Sequence, residues 1–294
     1  GMRLSEVAPD LAKQTVADAV TIGVMSQPED ICLLRHDGSG KNAFKNPLSF
    51  RYLDDNFIES DAVKIGKTFM DYLKKTKDPR IHVYCSLKDG NTEFDKQFGL
   101  PNGYDSHTIA DAPSGSFVGL ENTSNFNINT ILRLDAPTIF LMPSETKLLL
   151  AEAVLRNWTN GNAEVLYKEA ITSSMKEQEI AYGTQGKITD EEIETYLAQN
   201  LFSTANNTEK LQIIGEQYWV ATFINGYESY ANWRRTGYPK LIPTNYSGSM
   251  SPGVIPTRLP YPTDEYSINR ANVDTANQQQ GADKVTTHIW WDID

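Results

Sequence analysis

The stretch Ser144-Glu145-Thr146-Lys147-Leu148-Leu149-Leu150-Ala151-Glu152-Ala153-Val154-Leu155-Arg156-Asn157 decides the fold. Leu148, Leu149, Ala151, Glu152 and Leu155 recur at helical spacing. Trp158-Thr159-Asn160-Gly161 then ends the helix, with a Gly in the place a helix C-terminus prefers. Ala163 to Gln178 follows, carrying Val165, Leu166, Ala170, Ile171 and Met175. Two helices joined by so short a turn run antiparallel, as a helical hairpin.

Working outward, Thr189-Asp190-Glu191-Glu192 is a capping box, and its helix should end near Asn200. Asn206 or Thr208 opens the longest expected helix, reaching about Arg235, with Leu211, Ile214, Tyr218, Val220, Ala221, Ile224 and Tyr227 on its inner faces. Gly237-Tyr238-Pro239 stops it. At the other end Leu4, Val7 and Ala8 share a helical face, and Pro9 suits the first position of a second helix over Asp10 to Val20. That pairing predicts an opening hairpin with Leu11, Ala12, Ala19 and Val20 turned inward. Ser60 can cap a helix to about Lys75 with Val63, Met70 and Leu73 on its face. Lys77-Asp78-Pro79-Arg80 reads as a turn into Ile81-His82-Val83-Tyr84-Cys85, whose alternation predicts a short strand. Residues 88–137 are polar and broken by Gly, Pro, Asn and Ser, so they read as long packed loops. The tail, 238–294, reads as irregular coil wrapped on the helices. The fold class is mainly α, built of helical hairpins with long irregular loops and minor β, and residues 1–294 are expected to form one body.

The net charge of −11 repels phosphate backbones and argues against nucleic acid as a partner, while neutral or cationic ligands, sugars included, are compatible with it. No apolar run approaches the ~20 residues that cross a bilayer. Cys32 and Cys85, both beside apolar residues, read as buried thiols, with a single bridge between them left open. Gly38-Ser39-Gly40-Lys41-Asn42 fails as a phosphate loop, because Arg35 replaces the first Gly and Asn42 the magnesium-binding hydroxyl. His36, His82, His107 and His288 have no metal-ligand spacing, so no metal or cofactor site is expected. Asp190, Glu191, Glu192 and Glu194 are explained as helix N-terminal charges. Asp54-Asp55 and Asp264-Glu265 read as solvated loop acids, so no catalytic residue is nominated.

Aromatic side chains are what remains. The helical ones, Tyr218, Trp219, Phe223, Tyr227, Tyr230 and Trp233, read as core. The loop ones, Phe98, Tyr104, Phe117 and Phe126, are harder to bury and offer flat faces to sugar rings. Amides and carboxylates such as Asn102, Asp105 and Asn122 stand ready for hydroxyls at the rim. Tyr104, Phe117, Asn102 and Asp105 are therefore the candidate ligand-binding residues.

Several segments resemble the helical core of SusD/RagB-type proteins. They are Leu148 to Ala153, the Gly161-Asn162-Ala163 turn, Ala170-Ile171-Thr172-Ser173-Ser174-Met175, and Trp233-Arg234-Arg235-Thr236-Gly237-Tyr238-Pro239. Ile255 to Pro262 and Trp290-Trp291-Asp292 extend the match. It is strong over 136–294 and looser over 1–135. The resemblance implies a tetratricopeptide-like α-superhelix and a lipid-anchored, surface-exposed outer-membrane protein of Bacteroidetes-type bacteria. Such a protein is not an enzyme; it binds glycans, sometimes peptides, for a SusC-like TonB-dependent transporter. Family members are longer and begin with a signal peptide and anchoring Cys, so this chain reads as the C-terminal portion of one, its lipid anchor absent. The alternatives are that this portion chiefly docks to the transporter, with ligand specificity in the N-terminal part, or that it hydrolyses glycosides. Arg234 and Arg235, at a helix C-terminus, are expected to hold the fold together, as are Tyr238-Pro239 and Pro260-Tyr261-Pro262.

Overall fold

The computed structural model describes residues 1–39, 41–54, 64–104, 107–202, 204–245 and 249–292. The expected hairpin is there. Helix α5 (Pro143–Leu155) and helix α6 (Ala163–Tyr182) pack along each other as the spine of the molecule. Asn162 caps α6 by accepting from the amides of Glu164 and Val165. The end of α5 differs in detail, since Asn157 takes the left-handed turn (φ 58°) and Gly161 comes only after it. The capping boxes at Thr189 and Asn206 open α7 (Asp190–Gln199) and α8 (Asn207–Ala221). Leu148, Ala151, Tyr167, Ile171, Met175, Tyr196 and Tyr218 are buried in the core these helices share.

The long helix expected up to Arg235 is broken. The Thr222 hydroxyl donates back to the Tyr218 carbonyl at 2.7 Å, and the Asn225 side chain caps a new helix, α9 (Gly226–Thr236). Short polar side chains that bond to local backbone compete with helix continuation here. The break turns Phe223 inward to stack on Phe69 with centroids 4.4 Å apart, and leaves Tyr227 outside at 91% exposure rather than in the core.

Preceding the spine, α1 (Pro9–Ile22) begins at Pro9 as read, but its partner is only a 3-10 turn, Met2–Leu4, so no opening hairpin forms. Of its inward-assigned residues Ala12 alone is buried, and Leu11 and Val20 remain exposed. The short α2 (Pro47–Asp54) lies in a region without period, and α3 (Lys67–Thr76) buries Phe69, Met70 and Leu73. Ser60 and Val63, assigned to the start of that helix, fall outside the described residues.

The strand expected at 81–85 is instead a helical turn, α4 (Ile81–Tyr84), followed by the two-residue strand β2 (Cys85–Ser86). β2 pairs with β3 (Asn125–Phe126), and β1 (Cys32–Leu34) pairs antiparallel with β4 (Thr138–Leu141). The tail is not all coil: α10 (Thr263–Ile268) and α11 (Arg270–Gln280) form within it, with Asp264 and Glu265 in the first turn of α10. Both cysteines are free thiols; Cys85 is buried and Cys32 exposed on β1. Among the described residues no helix is long and apolar enough to cross a membrane.

Arg80 explains the local change at 81–85. Its fully buried guanidinium is gripped by Asp78 at 2.9 and 2.5 Å, by Ser174 of α6 at 3.0 Å and by Gln217 of α8 at 2.7 Å. Drawing Arg80 inside pulls Ile81, Val83 and Tyr84 into the core together, which an alternating strand cannot do. Burial opposes its charge, and the Asp78 carboxylate more than offsets that.

Other buried acids hold helices together. Glu152 of α5 takes a two-pronged grip from Arg235 of α9 at 2.6 and 2.7 Å and a further bond from Arg156 at 2.8 Å. Glu177 of α6 accepts from the Ser144 amide and hydroxyl at 2.9 and 2.6 Å, capping α5 from across the hairpin. Glu145 is different. Its Oε2 lies 3.4 Å from the Tyr218 hydroxyl, but its Oε1 is buried without a partner. Burial first, and then the Glu228 carboxylate, push its pKa up to about 8.

Two outcomes follow from these networks. Arg80→Ala, which strands Asp78 in the core, should cost about 3–5 kcal/mol in urea denaturation, and Arg80→Lys should recover only part because it lacks the planar fork. Glu145 binds its proton more tightly folded than unfolded, so its contribution is full below about pH 4.5 and is lost as pH rises towards 8. Glu145→Gln should therefore gain on the native chain by roughly 1–3 kcal/mol between pH 5 and 8, read as a widening difference in melting temperature.

Candidate functional site

The N-terminal end of α3 is fixed from two sides. The Lys67 amide donates to the Leu100 carbonyl and the Leu100 amide to the Ile65 carbonyl, both at 2.7 Å, so the loop after residue 98 is laid against the helix start. Gly99 sits so close to the Lys67 backbone that no side chain fits there. Beyond it the loop carries Pro101, Asn102, Gly103 and Tyr104 outward, and the segment Ile242–Asn245 closes down on them.

These three pieces form an open cleft of about 490 Å³. One wall is α3, with Lys67, Thr68 and Asp71; another is the loop, with Asn102, Tyr104, Thr108, Asp111 and Ser116; the third is Ile242 to Asn245. Lys67 is bound to Asp71 at 2.6 Å, so these opposite charges largely cancel at the rim. A second cleft of about 480 Å³ adjoins the first and shares Thr68, Asn102, Ile242, Pro243 and Thr244 with it. Gly103 makes the junction feasible: its φ is 85°, and a Cβ there would lie 2.7 Å from the Thr244 methyl.

Of the four ligand-binding candidates, Asn102 and Tyr104 line the first cleft, Tyr104 half-buried and Asn102 exposed. Phe117 is half-buried beside the lining residue Ser116 without being part of the lining. Asp105 lies outside the described residues. The other loop aromatics do different work. Phe126 packs on Tyr52 and Phe223 at 5.6 and 5.5 Å, and Phe98 lies under the Lys74 ammonium at 4.2 Å. Asn122 bonds to its own loop, at the Val118 carbonyl and Glu121.

Sequence reading missed Thr68, Asp71, Trp219 and Thr244. Trp219 sat within a run of inner-face positions, and nothing local marks the others, because the clefts draw on segments far apart in the chain. The Arg234-Arg235 pair is structural, as expected, but through specific partners rather than the helix dipole alone. Arg235 is buried against Glu152, while Arg234 donates to the Thr257 carbonyl at 2.9 Å and stacks on Trp291 at 4.6 Å.

Residues 1–292 match the SusD-like family, described as SusD and RagB outer membrane lipoproteins. The chain belongs to the SusD/RagB family. Its fold agrees with that of solved SusD-like structures. A chitin-binding protein is 29% identical with a TM-score of 0.82 over 100% of this chain and 62% of its own. A SusD-like protein designated Bacteroidetes AC2a is 25% identical, TM-score 0.81, over 100% and 67%. A SusD homolog from Bacteroides fragilis is 25% identical, TM-score 0.75, over 99% and 64%. The chain thus spans roughly two thirds of the length of these relatives, and no curated protein matches it.

Because Gly103 combines a left-handed backbone with contact against Thr244, Gly103→Ala should cost about 1–2 kcal/mol in thermal unfolding. It should also raise amide exchange at Gly253, whose N–H donates to the Thr244 carbonyl at 3.2 Å, whereas Gly226→Ala, with open space and an ordinary backbone, should leave that amide protected.

Proposed function

We propose that this SusD-like chain binds a neutral glycan in the first cleft without cleaving it. In the whole protein this would occur at the outer-membrane surface, for delivery to a SusC-like TonB-dependent transporter. The observation that carries the reading is the convergence on one open cleft of an aromatic face, Tyr104, an amide, Asn102, and two carboxylates, Asp71 and Asp111. Sugar rings present C–H faces to aromatic rings and hydroxyls to amides and carboxylates, so this mixture suits them. The family membership and the chitin-binding relative support the same class of ligand. An overall charge of −11 disfavours acidic polysaccharides. Asp71 is held by Lys67 on the rim, a poor arrangement for one of the paired acids a glycosidase needs.

Titration calorimetry with soluble chito- and cello-oligosaccharides should show binding with no release of reducing ends. Tyr104→Ala should weaken it about tenfold or more, a loss of about 1.4 kcal/mol per decade. Capture of the transporter with no affinity for any glycan would instead favour a docking role for this portion.

A further inference from the structure

The two adjoining clefts differ in chemistry although they share a wall. The first is lined by Lys67, Asp71 and Asp111 as well as Tyr104. The second has no charged side chain among its described lining residues. Its apolar surface comes from Phe69, Trp219, Val254, Ile255 and two prolines, and its polar groups are neutral: Thr68, Asn102, Thr244, Ser249 and Ser251. Trp219 is a fixed plate rather than a mobile side chain, because Phe69 meets it edge-on at 4.9 Å and Tyr72 at 5.9 Å.

We infer that the second cleft is a subsite for the acetamido group of an N-acetylated sugar, on the same oligosaccharide whose neighbouring ring lies in the first cleft. The inference rests on the glycan reading above and adds the substituent that is read. A bare hydroxyl can bond to the neutral polar groups but leaves the apolar surface of Val254, Ile255 and Trp219 facing water, so it gains nothing from that half of the cleft. An acetamido methyl gains from the same surface, and its N–H and C=O can be met by the neutral hydroxyls and the Asn102 amide at the shared wall. A free amine, charged at neutral pH, would enter a cleft that offers no carboxylate. Continuity through Thr68, Asn102 and Thr244 lets one linear chain occupy both spaces.

The test is calorimetry of the full chain with three hexasaccharides of equal length: N-acetylglucosamine, glucose and deacetylated glucosamine units. The N-acetylated form should bind about tenfold tighter than the glucose form, the range for one apolar group in a fitted pocket. Val254→Asp should bring that ratio close to one, and Val254→Thr, a near-isosteric change at a half-exposed position, should lower it part of the way. Tyr104→Ala should weaken both ligands in parallel and keep the ratio. Binding of the N-acetylated and glucose forms with equal affinity, or a ratio untouched by both Val254 variants, overturns the acetamido subsite while leaving glycan binding intact. No binding of any of the three overturns both.

Discussion

The fully buried guanidinium of Arg80 organises the helical body of this molecule. Arg80 has no access to water, and it is tolerable there only because Asp78, Ser174 and Gln217 together meet its donors. Gln217 passes the constraint on, donating to the Tyr196 hydroxyl at 2.7 Å and the Tyr72 hydroxyl at 3.1 Å. One polar cluster therefore fixes α3, α4, α6, α7 and α8 relative to one another. A hydrophobic core tolerates small slides between helices, whereas directional bonds to a planar guanidinium do not. Since α3 supplies a wall of the first cleft, the position of that wall is set from inside the core.

The ends of the chain are joined by a second ionic device. Arg3 grips Glu228 of α9 at 2.9 and 3.0 Å and lies over Trp291 at 5.6 Å, while Arg234 faces the same indole. The first turn and the last described residues thus meet on α9. Asp283 performs a similar service within the tail, receiving Arg258 at 2.8 Å and the Tyr266 hydroxyl at 2.7 Å. The Pro260-Tyr261-Pro262 piece is pinned there too, through the Tyr261 amide at 3.1 Å. Stiff backbone reduces the entropy lost on pinning, which suits a tail that must stay wrapped.

The clefts belong to neither device. They open where loops meet the start of α3, and their lining comes from described residues within 66–71, 101–104, 108–116, 219, 241–245 and 249–256. Loops on a rigid scaffold are where binding surfaces are free to vary, because the core does not depend on their side chains. The contrast between a charged first cleft and a neutral second one is made by side chains from two helices, α3 and α8, together with the two loops that close on them.

Amphipathic period and the Thr189 capping box were enough to place α5, α6, α7 and the start of α8, and the Gly237-Tyr238-Pro239 stop the end of α9, since each depends on residues within a few positions of one another. The same holds for the family resemblance, which is carried by short segments. Of the loop residues read as ligand candidates, Asn102 and Tyr104 line the first cleft, while Phe98, Phe126 and Asn122 are engaged in structural contacts that residue type alone did not distinguish. Decisions made at long range were not legible. A buried Arg80, bonded to α6 and α8, turned an alternating segment into a helical turn, whereas the split at Thr222 and Asn225 is local in its bonds and was hidden by an apolar pattern that runs through it. Trp219 packs on Phe69 and Tyr72 as a core aromatic would, and also lines a cleft that the distant segment 249–256 helps to close. Local sequence sets which conformations are cheap; which of them survive, and which side chains end facing a shared space, depends on partners more than a hundred residues away, whose contacts exist only once the chain has folded.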